Sequence, residues 1–141
     1  MLADISERCN TIEECYEFML AYAAQGLPRD EGSQSGGQIR EYLGRAVRAM
    51  SGLAESCATA VKQECLEPAQ RYHAFFAVLD RDAHDSLAAV ELVLAQPAIS
   101  SQLIDNLNAS IHLRALLTDL FLLSEMVKSQ RTPAKPMASG G

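Results

Sequence analysis

A chain of 141 residues can bury roughly two-thirds of the surface its unfolded form exposes, so neither disulfides nor a metal is needed to hold it folded. Apolar residues make up 48% but aromatics only 6%, with no Trp, and the chain is rich in Ala and Leu and sparse in Val and Ile, which predicts helices rather than sheet. A net charge of −6 argues against a phosphate-binding surface, and the one basic cluster, Arg40, Arg45 and Arg48, is interrupted by Glu41 and reads as a solvated helix face.

The first helix has two candidate starts, Asp4 with Glu7 and Thr11 with Glu14, each a capping side chain followed three residues later by a carboxylate. Ile5, Cys9, Ile12, Tyr16, Met19 and Ala23 then form one apolar stripe, and Gly26 with Pro28 ends the helix. The polar, glycine-rich stretch from Pro28 to Gln38 is a loop; it lacks the Lys and Ser/Thr order of a phosphate cradle. A long second helix begins near Gly37. Ile39, Leu43, Ala46, Met50, Leu53, Cys57 and Ala60 alternate four and three, a spacing that keeps one seam against a partner helix. Beyond Ala60 the seam either turns polar at Glu64 and Glu67 or drifts to Val61, Cys65 and Leu66, and Pro68 kinks or restarts the helix.

Tyr72, Phe75, Phe76 and Leu79 give the next segment a broad apolar face. In "LDRDAHD" the favoured reading is a break, with Asp82 capping a new helix that ends before Pro97. Ser100 or Ser101, or Pro97 as first residue, opens the last helix, which runs to about Gln130. That helix is apolar nearly all round and must lie at the centre of the bundle or in a subunit interface. Residues 131–141 lack core-forming side chains and read as a flexible tail after a single domain spanning 1–130.

Chemistry is thinly signalled. No Glu-x-x-His occurs, which counts against a ferritin-like di-iron centre. Were the helix continuous through Asp80, the side chains of His73, Asp80 and His84 would lie within about 40° of one another at 100° per residue. Asp oxygen and His nitrogen suit iron or zinc. Asp105, His112 and Asp119 recur every seven residues as a second polar stripe, and Glu64 sits on the projected seam. The candidate metal ligands are therefore Glu64, His73, Asp80, His84, His112 and Asp119, and the candidate lining of an apolar ligand pocket is Tyr16, Tyr72, Phe75 and Phe76. The four cysteines, at 9, 15, 57 and 65, have no zinc or redox spacing and read as free thiols, only Cys9 being placed for nucleophilic work. No catalytic residue is identified, and no Gly-x-Ser-x-Gly elbow exists.

The expected architecture is an all-α, antiparallel bundle of four to five helices with a kinked long second helix. It is expected to be cytoplasmic and homodimeric, without a nucleic-acid or membrane partner. The first functional expectation is a non-enzymatic interaction or regulatory module with a protein partner. A metal-binding bundle with a storage or oxidoreductase role, and a binder of a small apolar ligand, are the alternatives.

Overall fold

The computed structural model describes residues 2–131, so the segment read as a tail lies, beyond Arg131, outside the described residues. They form six helices and no strand: α1 (Leu2–Ala24), α2 (Gln34–Met50), α3 (Leu53–Glu64), α4 (Ala69–Leu94), α5 (Ser101–Ala109) and α6 (His112–Arg131). No helix among them is long and apolar enough to cross a membrane.

Six elements replace the expected four to five because two long helices are divided and two short ones are joined. The seam of the second helix is buried from end to end, yet the helix stops at Met50 and resumes at Leu53. Gly52 adopts φ 76°, a left-handed conformation that a side chain disfavours. The break frees backbone carbonyls, and Arg8 of α1 captures two of them, donating from Nη1 to Ala49 O (2.9 Å) and Ser51 O (2.7 Å). After Ala60 the buried face moves to Val61 and Leu66, while Glu64 and Cys65 are exposed, so the face drifts rather than turning polar. Pro68 then opens α4 as its N-cap, a restart.

The last expected helix divides at Ser110 and Ile111. Ser100 caps α5, its hydroxyl accepting from Leu103 N, and Ser110 terminates it, its hydroxyl donating to Leu107 O. Ile111 follows with φ 63° and α6 starts at His112. The opposite correction applies at Asp82. Residues 69–94 are one unbroken helix, with no Gly or Pro inside it, and Asp82 lies in its middle rather than at a cap. At the chain start α1 is already helical at Leu2, so Thr11 is interior and Asp4 sits in the first turn, paired with Arg8 at 3.0 Å.

α1 packs on α2, α3, α5 and α6, and α4 packs on α2, α3, α5 and α6, so the first and fourth helices hold the centre. The last helix does not; it lies on α4 and α1 with one face outward. The end of α1 is stitched to the α4–α5 connection. Tyr22 Oη donates to Ile99 O (2.7 Å), while buried Ser101 donates from its hydroxyl to Tyr22 O (2.6 Å) and accepts from Leu27 N (2.9 Å).

The α1–α2 loop is shorter than expected because α2 begins at Gln34, capped by Ser33, whose hydroxyl accepts from Gly36 N. Asp30, in that loop, is buried. Its Oδ1 accepts from Ile99 N (2.7 Å) and its Oδ2 from Arg40 Nε (2.7 Å). Arg40 is not part of a solvated basic face; it reaches to Leu94 O and Gln96 O at the end of α4, at 3.0 and 2.9 Å. Arg45 does behave as a surface side chain, paired with Glu41 and lying over the Tyr42 ring.

Candidate functional site at the α4–α6 ridge

Contacts along α4 and α6 run in opposite order. Tyr72, in the first turn of α4, accepts a hydrogen bond from Gln130 Nε2 (2.7 Å) in the last turn of α6, and farther along Asp82 meets Asp119. Gln130 also brackets the residue before Pro68, accepting from Glu67 N and donating to Glu67 O. Phe75, Val78 and Asp82 follow one another at i, i+3 and i+7 on α4, and Asp119, Leu122 and Met126 do so on α6. This spacing places two short stripes side by side, each apolar at one end and acidic at the other.

The acidic end is unusual for a helix pair. Burial pushes the Asp119 carboxyl up to about 7, and the neighbouring Asp82 carboxyl adds to that. Asp119 Oδ2 is enclosed and meets no donor, and one turn after Asp82 the Ser86 hydroxyl is enclosed and unpartnered too. A proton held on Asp119 turns two mutually repelling acceptors into one O–H···O hydrogen bond.

The sign of the stability effect follows. The unfolded carboxyl loses its proton near pH 4 while the folded one keeps it to about 7, so this group lowers stability as pH rises through that window, and the deficit is complete above it. Asp119→Asn supplies a permanent donor. After allowance for solvent screening, the variant should be more stable than the parent by on the order of 1 kcal/mol at pH 8, about 4 °C in Tm. At pH 4 the two should match. Thermal melts of both proteins across pH 4–8 check this, and a difference that does not grow with pH refutes it.

At the apolar end, a groove of about 540 Å³ runs between the helices, with Tyr72 and Phe75 on one wall and Leu122 and Met126 on the other. A second groove, of about 630 Å³, lies on the far side of α6 against α1, between Ile5 and Cys9 on one helix and Phe121 and Val127 on the other. The outward edge of α6 thus stands as a ridge between two grooves, with Phe121 45% and Leu122 49% exposed at its crest.

The other proposed ligands do not converge. Even with α4 continuous, His84 pairs with Asp80 alone among the described residues, its Nδ1 3.3 Å from Oδ1 and 2.8 Å from the Asp80 carbonyl, at 72% exposure. His73 is exposed and rests edge-on against Phe76. Glu64 ends α3 in solvent, and the helix break at Ile111 removes the Asp105, His112 and Asp119 stripe as a single face. Among the described residues no three His, Cys, Asp or Glu side chains are grouped to hold a metal. Of the expected pocket residues, Tyr72 and Phe75 share the α4–α6 groove, Phe76 is buried, and Tyr16 is half-buried on α1.

The thiols are free, and none is activated where a shift is seen. Burial pushes Cys15 and Cys57 up to about 12, and burial with nearby Glu13 raises Cys9. At Asp82 the local cap signal is misleading, because the residue lies inside α4. Its signal was its place at i+3 from Leu79 and i−4 from Ser86, a buried stripe in an uninterrupted helix. Comparison with family models, curated proteins and solved structures gives no match for this chain.

Proposed function

We propose that the protein is a non-enzymatic interaction module, an antiparallel helix bundle that works as a homodimer through the outer face of α4 and α6. The observation that carries this reading is the α6 ridge with an apolar groove on either side. A surface that holds both a ridge and a matching groove is self-complementary, which is what a two-fold interface requires. Val78, 43% exposed, extends the apolar crest onto α4.

Leu122→Lys places a charge at the centre of this face and is expected to convert a species of twice 15.3 kDa into the monomer in sedimentation at micromolar concentration. Gln63→Lys, at an exposed position of α3 away from this face, serves as a control that should leave assembly intact. A parent protein that sediments as the monomer would remove this reading. The grooves also fall within the size range of small-molecule sites, so binding of an apolar small molecule, seen as a rise in Tm of a monomeric parent, is the second reading.

A further inference from the structure

The groove between α4 and α6 opens where α6 ends, since Gln130 in the last turn of that helix is part of its lining. Its walls carry two aromatic rings, Tyr72 and Phe75, together with Leu122 and Met126, whereas the groove on the other side of α6 has Phe121 as the one ring in its lining. Two donors at the α4–α6 groove lack an acceptor. The Tyr72 hydroxyl accepts from Gln130 Nε2 and gives its own proton to nothing among the described residues, and the Arg71 guanidinium is equally unmatched among them. Glu125, 73% exposed and 3.3 Å from Lys128, adds a negative charge on the α6 side. An apolar, aromatic-walled groove with spare N–H and O–H donors suits a stretch of chain that brings carbonyls but few amides.

The sequence supplies such a stretch at the mouth of the groove. Residues 132–141, which lie outside the described residues, read TPAKPMASGG, and Pro133 and Pro136 flank Ala134 and Lys135 in Pro-x-x-Pro order. Two prolines bring two carbonyls and no amide, and their preference for the polyproline II conformation leaves little entropy to lose on docking. The lengths agree. From Gln130 back to Leu122 the α6 axis runs about 12 Å at the rise of an α-helix. From Pro133 to Met137 a polyproline II chain runs about 12 Å as well. Pro133 also biases Thr132 away from the helical region, which turns the chain off the α6 axis beside the groove. We propose that the segment after α6 folds back along its own helix and seats Pro133 to Met137 in the α4–α6 groove, with the prolines against Tyr72 and Phe75, Met137 toward Leu122, and Lys135 beside Glu125. This seat forms within one chain and does not depend on the homodimer; a second copy would compete for the same groove.

The sequence contains no Trp, so Met137→Trp in the full chain places a single indole at the far end of the seated segment. Quenching of its fluorescence by acrylamide tests the seat, with circular dichroism to verify that each variant is folded. An effective concentration in the millimolar range keeps a segment of about 0.1 mM intrinsic Kd seated roughly nine-tenths of the time. The quenching constant should therefore rise about fivefold when Pro133→Ala and Pro136→Ala are added together, and by a similar factor with Phe75→Ala. Lys135→Glu should raise it about twofold, the scale of an exposed ion pair, and adding Glu125→Lys should bring it back. An indole that is quenched as freely with both prolines present as with both replaced overturns the proposal. Protection that is lost in Phe121→Ala and kept in Phe75→Ala also overturns it, because the segment would then lie in the α1–α6 groove. So does protection that grows with protein concentration across the micromolar range, since the segment would then sit on a second copy.

Discussion

Arg40→Ala is expected to lower the unfolding free energy by about 3 kcal/mol, because removing one partner of a buried pair leaves the other charge without compensation. Asp30 is the group left behind. Its side chain is 9% exposed, and the Arg40 guanidinium, the principal cause, holds its carboxyl below the usual range. The same substitution frees Leu94 O and Gln96 O at the end of α4, so a helix terminus loses its donor as well. Urea unfolding monitored by circular dichroism measures the loss, and a cost under 1 kcal/mol would show that the clamp is dispensable. The pH signature has a defined direction. A carboxyl whose folded pKa is depressed adds stability above its unfolded value near 4, and that contribution disappears as pH falls through the folded value. The parent should therefore lose more stability on acidification than Arg40→Ala does. Asp30→Asn in the Arg40→Ala background should recover part of the loss, since no buried charge then remains and an amide oxygen can still accept from Ile99 N.

Gly36→Ala is expected to cost about 3 kcal/mol, although Ala is the better helix former by roughly 1 kcal/mol. A Cβ on Gly36 would lie 1.7 Å from the backbone oxygen of Asp30 and 2.4 Å from its carbonyl carbon. Neither atom can rotate away as a side chain would, so the α1–α2 loop must shift, and the shift displaces Asp30 from Arg40 and from Ile99 N. The neighbouring glycine isolates the steric contribution. Gly37 is exposed and a Cβ there meets nothing within 4 Å, so Gly37→Ala should leave stability unchanged or raise it by up to about 1 kcal/mol. If the two alanine variants unfold at the same urea concentration, the close approach at Gly36 has no energetic weight.

Burial was legible in the sequence to a greater extent than helix ends were. The four-three alternation from Ile39 to Ala60 names seven positions that are all buried, even though the helix carrying them is interrupted at Ser51 and Gly52. Periodicity reports which side of a segment faces inward, and a short break that preserves that side leaves the pattern unchanged. Helix ends depend on partners far away in the chain. Arg8 catches carbonyls 41 and 43 residues distant, and Arg40 reaches ones 54 and 56 residues distant, so neither was distinguishable from a surface arginine. The site was obscured for the same reason. An aspartate near the middle of "LDRDAHD" carries a strong local cap signal, while its neighbour on α6, Asp119, lies 37 positions later and leaves no local mark. Asp119 stands out among its leucines by its heptad spacing from His112, a pattern that carries no sign of another carboxylate nearby.

The stitching of Tyr22 and Leu27 to residues 99–101 also sets a timetable for the nascent chain. α1 leaves the ribosome ahead of the helices it packs on, with Ile12, Met19 and Tyr22 destined for full burial. Its C-terminal end acquires the Ile99 and Ser101 partners only some 75 residues afterwards, roughly 4–15 s at ordinary rates of synthesis. α2 is available sooner and can shield one side of that helix in the interval, while the side that α5 will cover stays open to water and to whatever holds emerging chains apart.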